Sequence, residues 1–242
     1  ARRRLELGDP RHPGYTPELA ERLRSARREL IRAVDRQLGR LLAGLDLDQT
    51  AVFLVSAYDA IPAHSDVDIG DLLHAAPALA SLRKSGPPVW SVETEEGFAH
   101  VYLAVRGRDP DGVIEPRDAK RVAKEVRDAF LAVRDDGQPV FERVLLRSEA
   151  RRLGLDHPNA GDVIAFARPG YRLTFGSKNP AVVERTTNVD AVGGQLASSR
   201  VADGLWLALG PGIAPRRLST PPKATDVAPR IARTLGIQLP RR

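Results

Sequence analysis

The sequence predicts an α/β fold: a mixed or parallel sheet flanked by helices, with an α+β layer inserted into it. Three observations predict it. A long helical pattern leads straight into a short unbroken apolar run; residues 86–170 form a compact strand, strand, helix, strand set; and the last third holds an apolar strand, a Gly/Pro turn and a closing helix.

Thr16-Pro17-Glu18 starts the first helix, with a hydroxyl cap, proline at the first helical position and an acid in the first turn. Leu19, Leu23, Ala26, Leu30, Val34, Leu38, Leu41 and Leu45 follow at steps of three or four, an apolar stripe opposite a face of Arg and Glu, and Gly44 marks the end. Residues Ala51 to Ser56 then read as a strand buried on both faces of a parallel sheet. The polar stretch Ala57 to Asp68 reads as a loop at that strand's carboxyl end, where ligands of open α/β sheets bind.

In the inserted layer, Val89–Thr94 and Ala99–Val105 read as paired strands and Arg117–Val133 as an amphipathic helix. Val140–Leu146 and Asp162–Ala167 read as further strands, with Ser148–Leu153 as a short helix between them. Asp111-Gly112, Asp136-Gly137 and Pro169-Gly170 punctuate the set as turns. Gly204–Gly212 is the late strand and its turn; Asp226 is expected to cap a helix over Val227–Leu235. The expected domains are therefore a core from 1–85 and 171–242 and a cap from 86–170.

Composition narrows the function. The 242 residues hold no Cys and no Met, so thiolate zinc sites, iron–sulfur clusters, disulfides and Cys nucleophiles are excluded, leaving His, Asp and Glu as ligands. The net charge is +6, but only five of 37 basic residues are Lys; the other 32 are Arg, as a high-GC, bacterial genome would produce. Those arginines are dispersed among 31 acids and aromatics are 5%, which argues against nucleic acid as a partner. No run approaches the roughly eighteen apolar residues of a membrane span, so a soluble chain, with a lean to the cytoplasm, is expected. A first residue of Ala and the lack of Met point to an excised piece of a longer protein.

Four stretches carry a family resemblance. Val34-Asp35-Arg36-Gln37-Leu38-Gly39-Arg40-Leu41-Leu42 with Thr50–Ser56, then Pro62-x-His64 with Val67-x-Ile69-x-x-Leu72, then Gly204–Ile213, then Asp226-Val227-Ala228-Pro229 with Leu235-Gly236-Ile237 stand in the order found in the type I phosphodiesterase/nucleotide pyrophosphatase family. The chain resembles the C-terminal half of that family, within the alkaline phosphatase superfamily. The resemblance implies an alkaline-phosphatase-like core and, in active members, two divalent ions held by Asp and His that activate a Thr or Ser nucleophile for in-line displacement at phosphorus.

Here the ligand positions depart from the family. The Asp and His of its Ser-Asp-His-Gly loop fall on Ala57 and Tyr58, followed by Asp59, and the His of its Gly-x-His-Gly motif falls on Leu196, after Gln195. None of Ala57, Tyr58 and Leu196 is a carboxylate or an imidazole. One pair resembles the family's Asp-x-x-Gly-His: Asp9 and His12, one residue short, the candidate metal ligands of this chain. The family's nucleophile and first metal Asp lie N-terminal to everything matched, and Thr50, Ser56, Thr186 and Thr187 are not substitutes.

Ser56, Tyr58, Asp59, His64 and Gln195 remain as a candidate remodelled pocket. His74, His100 and His157 read as structural or surface residues. The acidic clusters Asp46/Asp48, Asp66/Asp68/Asp71 and Glu93/Glu95/Glu96 could in principle pair for acid–base work or bind calcium, but the second lacks the Gly and terminal Glu of a calcium loop and reads as a solvated turn. The expected function is a phosphodiesterase-like module without catalytic metals, in a structural, regulatory or ligand-binding role and partnered by the N-terminal half of the same protein. One alternative is a phosphoric ester hydrolase using two zinc or manganese ions with its nucleophile upstream; the other is an Arg-rich binder of anionic ligands or nucleic acid.

Overall fold

The computed structural model describes residues 6–56, 60–95, 97–176, 181–187, 192–193, 205–215, 217–219 and 222–239. In chain order the elements are α1 (Pro17–Ala43), β1 (Val52–Val55), β2 (Ala60–Ile61), β3 (Ser65–Asp68), α2 (Ile69–Ala75), α3 (Pro77–Ala80), β4 (Val89–Glu95), β5 (Phe98–Leu103), α4 (Pro116–Ala132), β6 (Arg134–Asp135), β7 (Gln138–Pro139), β8 (Phe141–Leu146), β9 (Val163–Ala167), β10 (Tyr171–Thr174), β11 (Val183–Arg185), β12 (Val192–Gly193), β13 (Trp206–Leu209) and α5 (Val227–Thr234). This is a mixed α/β architecture. Contacts divide it into two units, one of residues 21–59 and 202–242 and one of 2–20 and 60–201.

The larger unit holds the core. Its principal sheet has the order β4-β5-β9-β8 and is antiparallel throughout. Along β5, Ala99, Val101 and Leu103 point inward and alternate with Phe98, His100 and Tyr102. Against the inward face lies α4, whose Val122, Ala123, Val126 and Phe130 recur at helical spacing and are buried. The outward face meets a 3₁₀ turn, Arg147–Leu153, and Ala150 packs there against Ile164 and Phe166. Asp162 ties these parts together, accepting from the Leu103 N–H at 2.8 Å and from the guanidinium groups of Arg108 and Arg147.

A second sheet in this unit has the order β10-β3-β11, with β10 parallel and β11 antiparallel to β3. Its Val67, Tyr171 and Leu173 join the same core cluster as α4. The stretch expected as a loop from 57 to 68 therefore contains β2 and β3. The short alternating run Ser65-Asp66-Val67-Asp68 lacks an apolar majority, and it is a strand because β10 and β11 supply its hydrogen bonds from either side. Asp68 is no solvated turn residue: it is buried and caps α2, accepting from the Asp71 N–H at 3.0 Å.

In the smaller unit, β1 pairs antiparallel with β13, Val52 opposite Leu209 and Val55 opposite Trp206. Phe53 meets Trp206 edge to face, and the Arg230 guanidinium lies 5.5 Å from the Trp206 ring centre. Asp226 does not cap α5 with its side chain; its carboxylate accepts from the Lys223 N–H in the turn before the helix. Gly236, at φ +68, ends α5 in the left-handed conformation, as its position in the sequence predicts.

Candidate functional site

The N-terminal segment and the start of β3 bring Asp9 and His64 together across 55 positions of sequence. His64 Nδ1 stands 3.0 Å from Asp9 Oδ2, while Asp9 Oδ1 accepts from the Arg11 N–H at 2.9 Å. His64 is 0% exposed, and its backbone is held on both sides: its N–H donates to the Gly170 carbonyl and its carbonyl accepts from Thr186. The Tyr171 ring meets the imidazole edge to face at 4.9 Å.

Gly170 makes this packing possible. Its φ is +101, and a Cβ at that position would overlap the His64 imidazole. The Pro169-Gly170 turn signal therefore carries a second requirement, close approach to a buried ring, that the turn reading alone does not contain.

Electrostatics set the proton positions. Burial pushes the Asp9 carboxyl up, but the Arg11 N–H, the Arg11 charge and His64 together hold it below its ordinary value. Burial holds the His64 pKa down, helped by Arg11 and outweighing the pull of Asp9. An ionised carboxylate can only accept, so neutral His64 carries its proton on Nδ1 and donates it to Asp9. Nε2 then holds a lone pair, and it has no hydrogen-bond partner among the described residues.

A polar network backs this pair. The Tyr171 hydroxyl donates to Asp135 at 3.0 Å, and Arg185 donates to Asp135, Asp136 and the Ser65 hydroxyl. Burial and the Asp135 hydrogen bond push the Tyr171 phenol up to about 12. Asp135 and Asp136 flank the β6–β7 hairpin, whose turn places Asp136 and Gly137 at positive φ. Arg172 grips Asp66 through two bonds of 2.8 Å, so Asp66 too is paired rather than solvated. A cleft of about 290 Å³ lies beside it, lined by Asp68, Thr174, Phe175 and Glu184 as well.

The other predicted residues fall as follows. His12 is buried, and its Nδ1 accepts from the Gly14 N–H at 2.9 Å. Ser56 follows β1 in the smaller unit, where its N–H donates to the Leu205 carbonyl. Ala57, Tyr58, Asp59, Gln195 and Leu196 lie outside the described residues. His100 is half-buried in β5 and accepts the Gly161 N–H at 3.0 Å. Sequence reasoning marked His64 but missed its partner, because neither spacing nor periodicity links it to Asp9; it missed Arg11, Tyr171 and Arg185 for the same reason.

Among the described residues, Asp9 and His12 do not form a metal centre. With Nδ1 of His12 accepting a backbone N–H, a neutral imidazole carries its proton on Nε2 and offers no lone pair there. Both oxygens of Asp9 are already engaged, and among the described residues no group of three His, Asp or Glu is placed to hold an ion.

The type I phosphodiesterase/nucleotide pyrophosphatase family model matches residues 11–194, more than half of the chain, and the chain belongs to that family. Human ectonucleotide pyrophosphatase/phosphodiesterase 5 shares its fold, with a TM-score of 0.57 at 15% identity over 88% of this chain and 49% of that one. Phosphonoacetate hydrolase from Sinorhizobium meliloti 1021, solved with phosphonoformate, gives a TM-score of 0.46 at 17% identity over 88% and 44%. The chain thus spans about half the length of these structures. No curated protein matches it. The fold is alkaline-phosphatase-like, as the sequence predicts. No helix among the described residues is long and apolar enough to cross a membrane.

Proposed function

We propose that this phosphodiesterase-like domain has lost the catalytic metals of its family and serves a structural, regulatory or ligand-binding role. The observation that supports this reading is the Asp9 carboxylate: it takes one proton donor from His64 and another from the Arg11 backbone, so its charge is answered without a cation. The substitutions at Ala57, Tyr58 and Leu196 point the same way. His64 is proposed as the centre of the remodelled pocket, and residues 86–170 as a cap inserted into a core of 1–85 and 171–242. Binding of nucleic acid is disfavoured by the pairing of arginines such as Arg108, Arg147, Arg172 and Arg185 with acids.

Metal content decides it. After exposure to zinc and manganese and desalting, the protein is expected to retain less than one equivalent of either by mass spectrometry and to leave a chromogenic phosphodiester unturned. Two tightly held equivalents with turnover would establish the hydrolase reading instead.

A further inference from the structure

An irregularity in β4 decides what its outer face carries. Val89 stands opposite Leu103 and Ser91 opposite Tyr102, so Trp90 is an extra residue, a β-bulge on the edge strand of the four-stranded sheet. Val89 and Val92 both pack on the core although they are three positions apart, which a regular strand of period two forbids. The extra residue resolves that conflict and leaves Trp90 53% exposed, its ring at 81° to that of Tyr102 and 6.2 Å from it between centres. Tyr102 is fixed in turn: its hydroxyl donates to the Asn159 carbonyl at 3.0 Å and its ring stacks on His100. Glu93, exposed and opposite His100, is diagonal to Tyr102 on the same face. The other charges close to Tyr102, Arg147 and Asp162, answer each other at 2.6 Å. Glu93 has no ion-pair or hydrogen-bond partner among the described residues.

We propose that Trp90, Tyr102 and Glu93 form a recognition corner for a small organic cation bearing a methylated, quaternary ammonium group. Two rings at a right angle present two π faces to one compact volume, and a cation within about 6 Å of both centres is attracted by each quadrupole. A flat base stacks on one ring and has no use for a second standing across it. The unanswered carboxylate favours a cation over a neutral or anionic guest. A quaternary ammonium has no N–H to strip of water, so it enters such a corner at less cost than a primary one. The bulge argues for a free small molecule over a peptide, because it interrupts the edge of β4 at Trp90 and leaves an added strand no regular ladder to extend. The inference goes beyond the proposed loss of metals: it uses neither Asp9 nor His64.

The probe is tetramethylammonium chloride, titrated against sodium chloride at constant total chloride and followed by the fluorescence of Trp90 in a Trp206→Phe protein. A saturable change with a midpoint of about 10 mM is expected, since two exposed cation–π contacts and one carboxylate are each worth little. Glu93→Gln should weaken binding about three- to fivefold and Tyr102→Leu about five- to tenfold. Glu142→Gln, which removes an exposed acid on β8, should leave it unchanged. Because Glu93 is exposed, Glu93→Gln carries the test even where Tyr102→Leu fails to fold. No saturable change, an equal change with tert-butanol, which is uncharged and of similar size, or an affinity indifferent to Glu93→Gln would overturn the proposal. A trimethyl-lysine peptide that binds more than about tenfold tighter than the free ion would overturn it too, by assigning the corner to a protein side chain.

Discussion

The two units are built from similar proportions of apolar residue and use it differently. In the larger one, α4 buries Val122, Val126 and Phe130 against a four-stranded sheet and a second sheet completes the cluster. In the smaller one, α1 is longer and also carries an apolar stripe, yet Val34 and Leu41 face solvent. The difference teaches that an apolar stripe is a promise of burial, and that it is kept only when a complementary surface is present to meet it. The chain carries one tryptophan in each unit, Trp90 and Trp206, so Trp90→Phe and Trp206→Phe versions let fluorescence follow each unit separately.

The largest expected contrast comes from truncating the two stripes. Phe130→Ala should destabilise the larger unit by about 3–5 kcal/mol, the cost of a cavity in a closed core. Val34→Ala in the 242-residue chain should shift unfolding by no more than about 0.5 kcal/mol, since it removes little buried area. Urea titrations read through Trp90 and Trp206 measure both. A cost above about 1 kcal/mol for Val34→Ala would break the comparison by showing α1 to be packed in the isolated chain.

Glycine substitutions give the next contrast. Gly170→Ala must force a Cβ into the His64 ring at positive φ, and about 2–4 kcal/mol should be lost. Gly236→Ala shares the positive φ but meets nothing within 4 Å, so only the conformational cost of about 1–2 kcal/mol remains. Thermal denaturation of the two variants should separate them clearly.

Removing the acceptor of the buried pair is expected to be milder. Asp9→Ala leaves the His64 Nδ1–H buried without its partner, at a cost of about 1–3 kcal/mol, visible through Trp90 and not through Trp206. Asp9→Asn keeps an acceptor and should recover most of that loss. If both variants unfold like the parent, the pair does not hold this part of the structure.

The smallest effect is in pH. All five histidines lie in the larger unit. Burial holds His100 below its ordinary value of 6.5, and its Nδ1 lone pair is used by the Gly161 N–H. As pH falls through 6.5 the unfolded chain takes up a proton that folded His100 still refuses, so its contribution is full above that value and is lost below it. Unfolding followed through Trp90 should therefore weaken between about pH 6.5 and 5, and His100→Gln should flatten the slope. Trp206 should register no change over that window.

Much of this was legible in the chain itself. The helical spacing and the Pro17 start locate α1, the period of two locates β5, and Asp136-Gly137 locates the β6–β7 hairpin, because each depends on neighbours a few residues away. The run Ser65–Asp68 was not legible as a strand, since its reason to be extended lies in Tyr171–Thr174 and Val183–Arg185. Nor was the cap at Asp68 read, although Asp68-Ile69-Gly70-Asp71 is a helix-start signal that could have shown it.

By itself the sequence determined the class of fold, the family, and the poverty of ligand types at Ala57, Tyr58 and Leu196, for residue identity and local period are properties of the chain alone. Tertiary structure decided that Asp9 is answered by His64, that Gly170 is needed to admit that ring, and that the stripe of α1 stands open. Those facts depend on which distant surfaces meet, and a one-dimensional pattern specifies a face without specifying what lies against it.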